Sequence, residues 1–165
     1  MTTFSTIERK QRIQAYAKGP DLLKRAVKKF PKKMWKFKPT PQRWSIHEIL
    51  VHLADSETNA YLRARRFLAE PGQPVMAYDQ DVWAQKLNYH TQDPADAVAL
   101  VGLVRRMTHA IIRKLPDSAW AATCLHPEHS NYNFDRWLEI YSSHVHGHVN
   151  QMQKVYDAWK SRGKK

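Results

Sequence analysis

Residues that stop and start helices recur along this chain at intervals that leave room for long helices and little else. Gly19-Pro20, Pro71-Gly72, Asp93-Pro94 and Leu115-Pro116 punctuate stretches where leucine, alanine and charge repeat with helical rather than alternating spacing. The pattern predicts a helix over about 6–18 and a second from Pro20 to about Phe30, proline being well suited to a first helical turn. Pro31, Pro39 and Pro41 make residues 31–43 a loop. Ser45 with Glu48 three residues on forms a capping box, and the helix it opens runs to about Glu70. A short helix is expected around Asp79 to Leu87, and a long one from Asp93-Pro94 to about Leu115. Residues 117–133 read as a loop with a turn of helix, and Asn133 caps a last helix from Phe134 to about Ser161. Without repeat, low-complexity tract or linker, this is one all-α domain over residues 1–165, a four-helix bundle with short extra helices in its connections. Residues 1–19 read as an N-terminal helical extension and 162–165 as a disordered basic tail.

A chain of 165 residues with 42% apolar content and five glycines suits a compact helical domain. No run approaches the ~20 apolar residues of a membrane span. The N-terminus, MTTFSTIERKQRI, turns charged at once and lacks an apolar signal core, so the expected location is cytoplasmic. A single cysteine, Cys124, excludes an internal disulfide framework and is expected to be buried. The net charge of +12 is concentrated between Lys24 and Pro39 and in the C-terminal KSRGKK. Such a surface implies either an anionic partner or a solvated helix face. No zinc-finger spacing or RNA-binding aromatic signature accompanies it, so sequence-specific nucleic-acid binding is not expected.

The residues with most chemistry are histidines. At 100° per residue, His148 falls about 40° from His144 on the last helix, with Trp137, Tyr141, Val155 and Trp159 inside the same arc. Two imidazoles one turn apart on a core-facing arc are costly to bury without partners, and a metal supplies one. On the earlier helix Ile46, Leu50, Leu53, Ala60, Ala64 and Phe67 form the apolar stripe, and His52 lies at its edge. Ser56, Asn59 and Arg63 follow within roughly 40° of His52. Core histidines bonded to carbonyls, or to each other, are the competing reading. His146 points away from the pair, and His47, His90, His109, His126 and His129 show no pairing geometry.

These residues also carry a resemblance. Trp44-Ser-Ile-His-Glu-Ile-Leu-Val-His52-Leu-Ala-Asp55-Ser56-Glu with Asn59 and Tyr61, then Tyr78-Asp79-Gln-Asp-Val-Trp83, His126-Pro127-Glu128 and Tyr141-x-x-His144-x-x-x-His148, resemble the signature of the DinB/YfiT-like proteins. The likeness spans about residues 20–157 in order. It implies an up-down-down-up four-helix bundle, commonly a homodimer, binding one divalent metal, zinc or nickel, through His52, His144 and His148. The chain departs from the pattern at Val149-Asn150-Gln151, where further histidine is frequent.

Relatives of this kind include thiol-dependent S-transferases and proteins named as metal-dependent hydrolases. The resemblance therefore implies a metal-dependent enzyme that activates a low-molecular-weight thiol or water against a small-molecule electrophile. Three imidazole ligands leave metal positions open for that chemistry. Asp55, Ser56, Asn59, Tyr78, Asp79 and Tyr141 are the pocket candidates, with Asp55 and Asp79 able to accept the second N–H of a ligand imidazole. A non-enzymatic binding module, with a structural metal and a basic surface for nucleic acid or another anion, is the alternative.

Overall fold

In the computed structural model, which describes residues 3–162, five α-helices follow the cap signals closely. They are α1 (Thr6–Lys29), α2 (Ile46–Ala69), α3 (Gln80–Lys86), α4 (Pro94–Ile112) and α5 (Phe134–Ser161). The capping box at Ser45 and Glu48 is formed in both directions. Asp79 caps α3 by accepting from the Asp81 and Val82 amides, and Asn133 caps α5 by accepting from Arg136. After α2, Gly72 takes a φ of 81°, a left-handed conformation that glycine adopts at little cost.

The helix predicted to break at Gly19-Pro20 does not break. α1 runs through Pro20, so residues 6–19 are part of a bundle helix rather than an extension of one. Proline has no N–H to give the carbonyl four residues back, that of Tyr16. Arg105 Nη1 fills the vacancy, donating to the Tyr16 carbonyl at 2.8 Å. Two further differences are small. α4 ends at Ile112, before the predicted Leu115, and the 117–133 connection holds a two-stranded antiparallel hairpin, β1 (Thr123–His126) and β2 (His129–Asn133), after a short 3₁₀ turn at Asp117–Ala121. Alternation in β1 puts Cys124 and His126 inward, a pattern too short to stand out in sequence. Of the predicted tail, Arg162 lies over the Phe37 and Trp159 rings, and residues 163–165 fall outside the described residues.

α1 packs chiefly on α5 and α4, and α2 on α4 and α5. The two pairs α1/α2 and α4/α5 therefore stand on diagonals of the bundle, which the long connections allow. The core falls into two clusters. One gathers Leu23, Ile49, Leu50, Leu53, Val101, Val145 and Met152. The other gathers Tyr16, Phe67, Ile112, Trp120, Phe134, Trp137 and Leu138. Each large buried side chain contributes roughly 1.5–3 kcal/mol. Between the clusters every bundle helix turns polar or loses its side chain: Gly19 on α1, Glu57 on α2, Arg105 on α4 and His144 on α5. No helix among the described residues is long and apolar enough to cross a membrane.

A buried ion pair fastens the start of α1. Arg9 Nε and Nη2 donate to the two carboxylate oxygens of Asp135, both at 2.9 Å, with both side chains almost fully buried. Asp135→Ala leaves a buried guanidinium without its main partner and is expected to cost about 3–5 kcal/mol. Urea unfolding measures this, and a loss below about 1 kcal/mol would contradict a stabilising role for the pair.

Candidate metal centre

α2 and α5 bring three of the nine histidines to one place. One ring nitrogen from each of His52, His144 and His148 lies within 4.8 Å of the others. The outer nitrogens of the α5 pair are engaged. His144 Nδ1 is 3.2 Å from Glu57 Oε1, and His148 Nδ1 is 2.9 Å from Gln151 Oε1. Both acceptors hold the ring proton on Nδ1, which leaves both Nε2 lone pairs facing each other 3.2 Å apart. Two converging lone pairs repel unless a cation stands between them. Imidazole nitrogens about 2.0–2.1 Å from a tetrahedral ion are themselves about 3.3 Å apart. His52 is 2% exposed, and its Nδ1 has no hydrogen-bond partner. This donor set fits one divalent ion.

Electrostatics agree with that fit. Burial, aided by His148 and His144, pushes the His52 imidazolium down to about 2. Burial and then His144 push His148 down to about 4. Both rings are thus neutral, the form that ligates. Full burial on its own raises the Glu57 carboxyl, but Arg105 and His144 outweigh it and hold Glu57 below the usual carboxylate range.

The acceptors are not the ones the sequence suggested. Asp55 receives the Tyr89 hydroxyl at 2.5 Å, and burial raises its carboxyl. Asp79 is occupied with the α3 cap. Asn59 donates to the Asp55 carbonyl and lines a neighbouring groove with Arg63 and Arg66, away from the histidines. Ser56, Tyr78, Asp79 and Tyr141 do line the pocket beside His52 and His144, which has a volume of about 480 Å³. A smaller recess of about 200 Å³ reaches His148 and Gln151 from the side of Trp44. Glu57 could have been anticipated, because it stands in register with Ile46, Leu50, Leu53, Ala60, Ala64 and Phe67, where an unpaired charge is untenable.

The hairpin adds residues that sequence spacing could not place. His126 and His129 come together with Glu128 in a second cluster at the mouth of the same pocket. His126 Nδ1 accepts the Glu128 amide at 3.1 Å, so the ring proton sits on Nε2 and that nitrogen donates rather than ligates. Burial, then Arg63, lower the His126 imidazolium and keep the ring neutral. Arg63 Nη1 donates to the Tyr141 hydroxyl at 3.2 Å, and burial raises the Tyr141 phenol, which keeps its proton. Cys124 is buried and its thiol is pushed up by burial, which makes it a poor nucleophile.

The bundle and its histidine cluster together define a small helical protein with a metal-type site between two of its helices. The chain belongs to the DinB superfamily, whose family model matches residues 15–152. A Bacillus subtilis strain 168 protein named "Putative metal-dependent hydrolase YfiT" is 27% identical over 147 residues, covering 87% of this chain and 81% of that one. A similarly named hydrolase of Bacillus mycoides strain KBAB4 is 24% identical over 140 residues, covering 83% and 79%. The solved structure of YfiT, described as a four-helix bundle of unusual topology, matches with a TM-score of 0.86 at 24% identity over 94% of this chain and 89% of that one. The predicted DinB-like four-helix bundle is therefore the fold.

The depressed histidines have a consequence for acid stability. In metal-free protein the unfolded chain takes up protons on these rings near pH 6.5, while the folded chain resists until about 4 at His148 and about 2 at His52. The unfolded state thus binds more protons below 6.5, so stability is complete above that pH and falls as pH drops toward 4. His52→Leu, studied in chelator, is expected to flatten this fall. An unchanged slope in denaturant titrations across that range would contradict the assignment.

Proposed function

We propose that this protein is a metal-dependent enzyme whose divalent ion is held by His52, His144 and His148, and which activates water or a low-molecular-weight thiol against a small electrophilic substrate. The convergence of two anchored Nε2 lone pairs at 3.2 Å, beside an open pocket, carries this reading. The names of the relatives favour water, hence hydrolysis. Zinc and nickel both suit three imidazoles. A bound divalent ion would lower the pKa of its water to about 7 in favourable cases, or would hold a thiol as its thiolate.

The chain's own residues supply the remainder. Glu57 and Gln151 hold the α5 ligands in one tautomer. Tyr141, a protonated phenol bonded to Arg63, and His126, with its proton on Nε2, line the pocket as donors for negative charge developing on substrate oxygen. Tyr78, whose phenol burial pushes up to about 12, adds a third donor and a second protonated hydroxyl.

Metal analysis of untagged protein is expected to find about one zinc or nickel ion per chain, the ratio set by one three-ligand site. His144→Ala is expected to lose most of it. Chelation should stop turnover in a screen of small esters, amides and thiol–electrophile pairs, and the metal should restore it. Full metal occupancy in His144→Ala, or metal-free protein as active as loaded protein, would overturn the proposal.

A homodimer fits a feature of α4. Leu100, Leu103, Met107 and Ile111, each 37–46% exposed, form one stripe on its outer face. Exposed Asp96 lies at one end of the helix, and exposed Arg113 and Lys114 lie at or just past the other, so antiparallel pairing with a second copy sets opposite charges together. Sedimentation is expected to find a dimer that Leu103→Glu with Met107→Glu converts to monomer. A monomeric wild type would refute the pairing.

A further inference from the structure

We propose that Arg105 and Glu57 are positioning residues for the metal site, and that the Gly19-Pro20 step of α1 seats them. Arg105 Nη2 donates to Glu57 Oε1 at 2.7 Å, and the same oxygen meets His144 Nδ1. Arg105 Nη2 also donates to the Tyr141 carbonyl at 2.7 Å, one turn before His144 on α5. Its Nη1 takes the Tyr16 carbonyl that Pro20 leaves without a helical partner. One guanidinium on α4 thus binds α1, α2 and α5 at once. Its place is determined on the α1 side by two adjacent residues. Pro20 exposes the acceptor, and Gly19 leaves the room, since a Cβ there would come within 2.3 Å of Arg105 Nη1.

The direction of influence follows from geometry. Glu57 can hold the His144 proton on Nδ1 only while its own oxygen is fixed, and Arg105 is what fixes it. Arg105 and Glu57 are both fully buried, so neither can fall back on water. A displacement of Arg105 from α1 therefore reaches the His144 ring, although no α1 residue touches a ligand histidine through any hydrogen bond here. α1 becomes part of the tuning of the metal site.

Gly19→Ala is the sharpest test. It improves helix propensity and removes no polar group, but it pushes on the flexible end of Arg105. Zinc affinity, read by competition with a chromogenic chelator on the full chain, is expected to weaken about tenfold in Gly19→Ala and about 10–100-fold in Glu57→Gln. Lys18→Ala, exposed and one residue away, should bind zinc as the wild type does. Nitrogen NMR of metal-free protein gives a readout that a purely structural role would not move. His144 is expected as a single Nδ1–H tautomer in the wild type and as a mixture in Gly19→Ala. Wild-type zinc affinity in both variants, or an unaltered His144 tautomer in Gly19→Ala, would overturn the proposal. The inference rests on the metal reading, yet the two fail differently. Wild-type protein that binds no zinc sinks that reading, while the tautomer measurement still decides whether Arg105 and Glu57 position His144.

Discussion

The buried contact between Arg105 and Glu57 is the interaction on which the arrangement of this bundle turns. Two ions removed from water cost several kcal/mol each, and their mutual attraction offsets this only where the remaining donors and acceptors are satisfied. Here most of that satisfaction comes from the bundle itself, through a carbonyl from α1, a carbonyl from α5 and an imidazole from α5, while Glu57 Oε2 and Arg105 Nε are left without a hydrogen-bond partner. Helices packed by apolar surface alone can slide or rotate by small steps at little cost. Helices that share one guanidinium cannot, because each slip abandons a buried hydrogen bond. The polar layer thus costs stability in isolation and sets register in context. It also explains why the core is two clusters rather than one.

Much of the fold was legible because it rests on local chemistry. Ser45 with Glu48, Asp93 with Pro94, and Asn133 each act within a few residues, and the helices they open begin where the caps place them. The gathering of the histidines was legible for a similar reason. A four-residue spacing puts His144 and His148 on one face of α5 whatever the remainder of the chain does. Pro20 shows where such reading stops. Locally it is a strong signal for a helix start, but the competing signal, Arg105, is 85 positions further along and makes itself felt only after folding. The hairpin escaped for lack of length, its inward residues being too few to establish a period.

The neighbours of the ligand histidines lay between these cases. Asp55 and Asp79 were reasonable acceptors by proximity in sequence, yet one is committed to Tyr89 and the other to its own helix. Glu57 was visible in principle, as a charge at a core position of α2, and Arg105 similarly as a charge in line with Ala97, Val101, Thr108 and Ile112 on α4. Two opposite charges on core stripes of different helices are each untenable alone. Their coexistence is itself a reason to pair them. Gln151 follows from the departure at Val149-Asn150-Gln151: the outer partner of His148 is an amide three residues on rather than another histidine.

The basic surface stands apart from this chemistry. Of the cations between Lys24 and Lys38, only Lys38 meets a carboxylate among the described residues, and that carboxylate, Glu48, belongs to the α2 cap. The others lie near the end of α1 and the turn that follows, where Lys33 sits over Trp159 and Lys29 meets Gln153 on α5. These are contacts of solvated side chains, worth a fraction of a kcal/mol each. The metal-type pocket, by contrast, opens between α2, α3 and the hairpin, and Arg63, which lines it, donates to the Tyr141 hydroxyl and the Met76 carbonyl. Charge near the end of α1 and in the turn that follows can raise the local concentration of an anionic substrate, an effect that salt screens beyond about 10 Å at 0.1 M. It cannot orient the reacting group. Orientation depends on side chains fixed within the pocket, and those trace back through His144 and Glu57 to the guanidinium at the centre of the bundle.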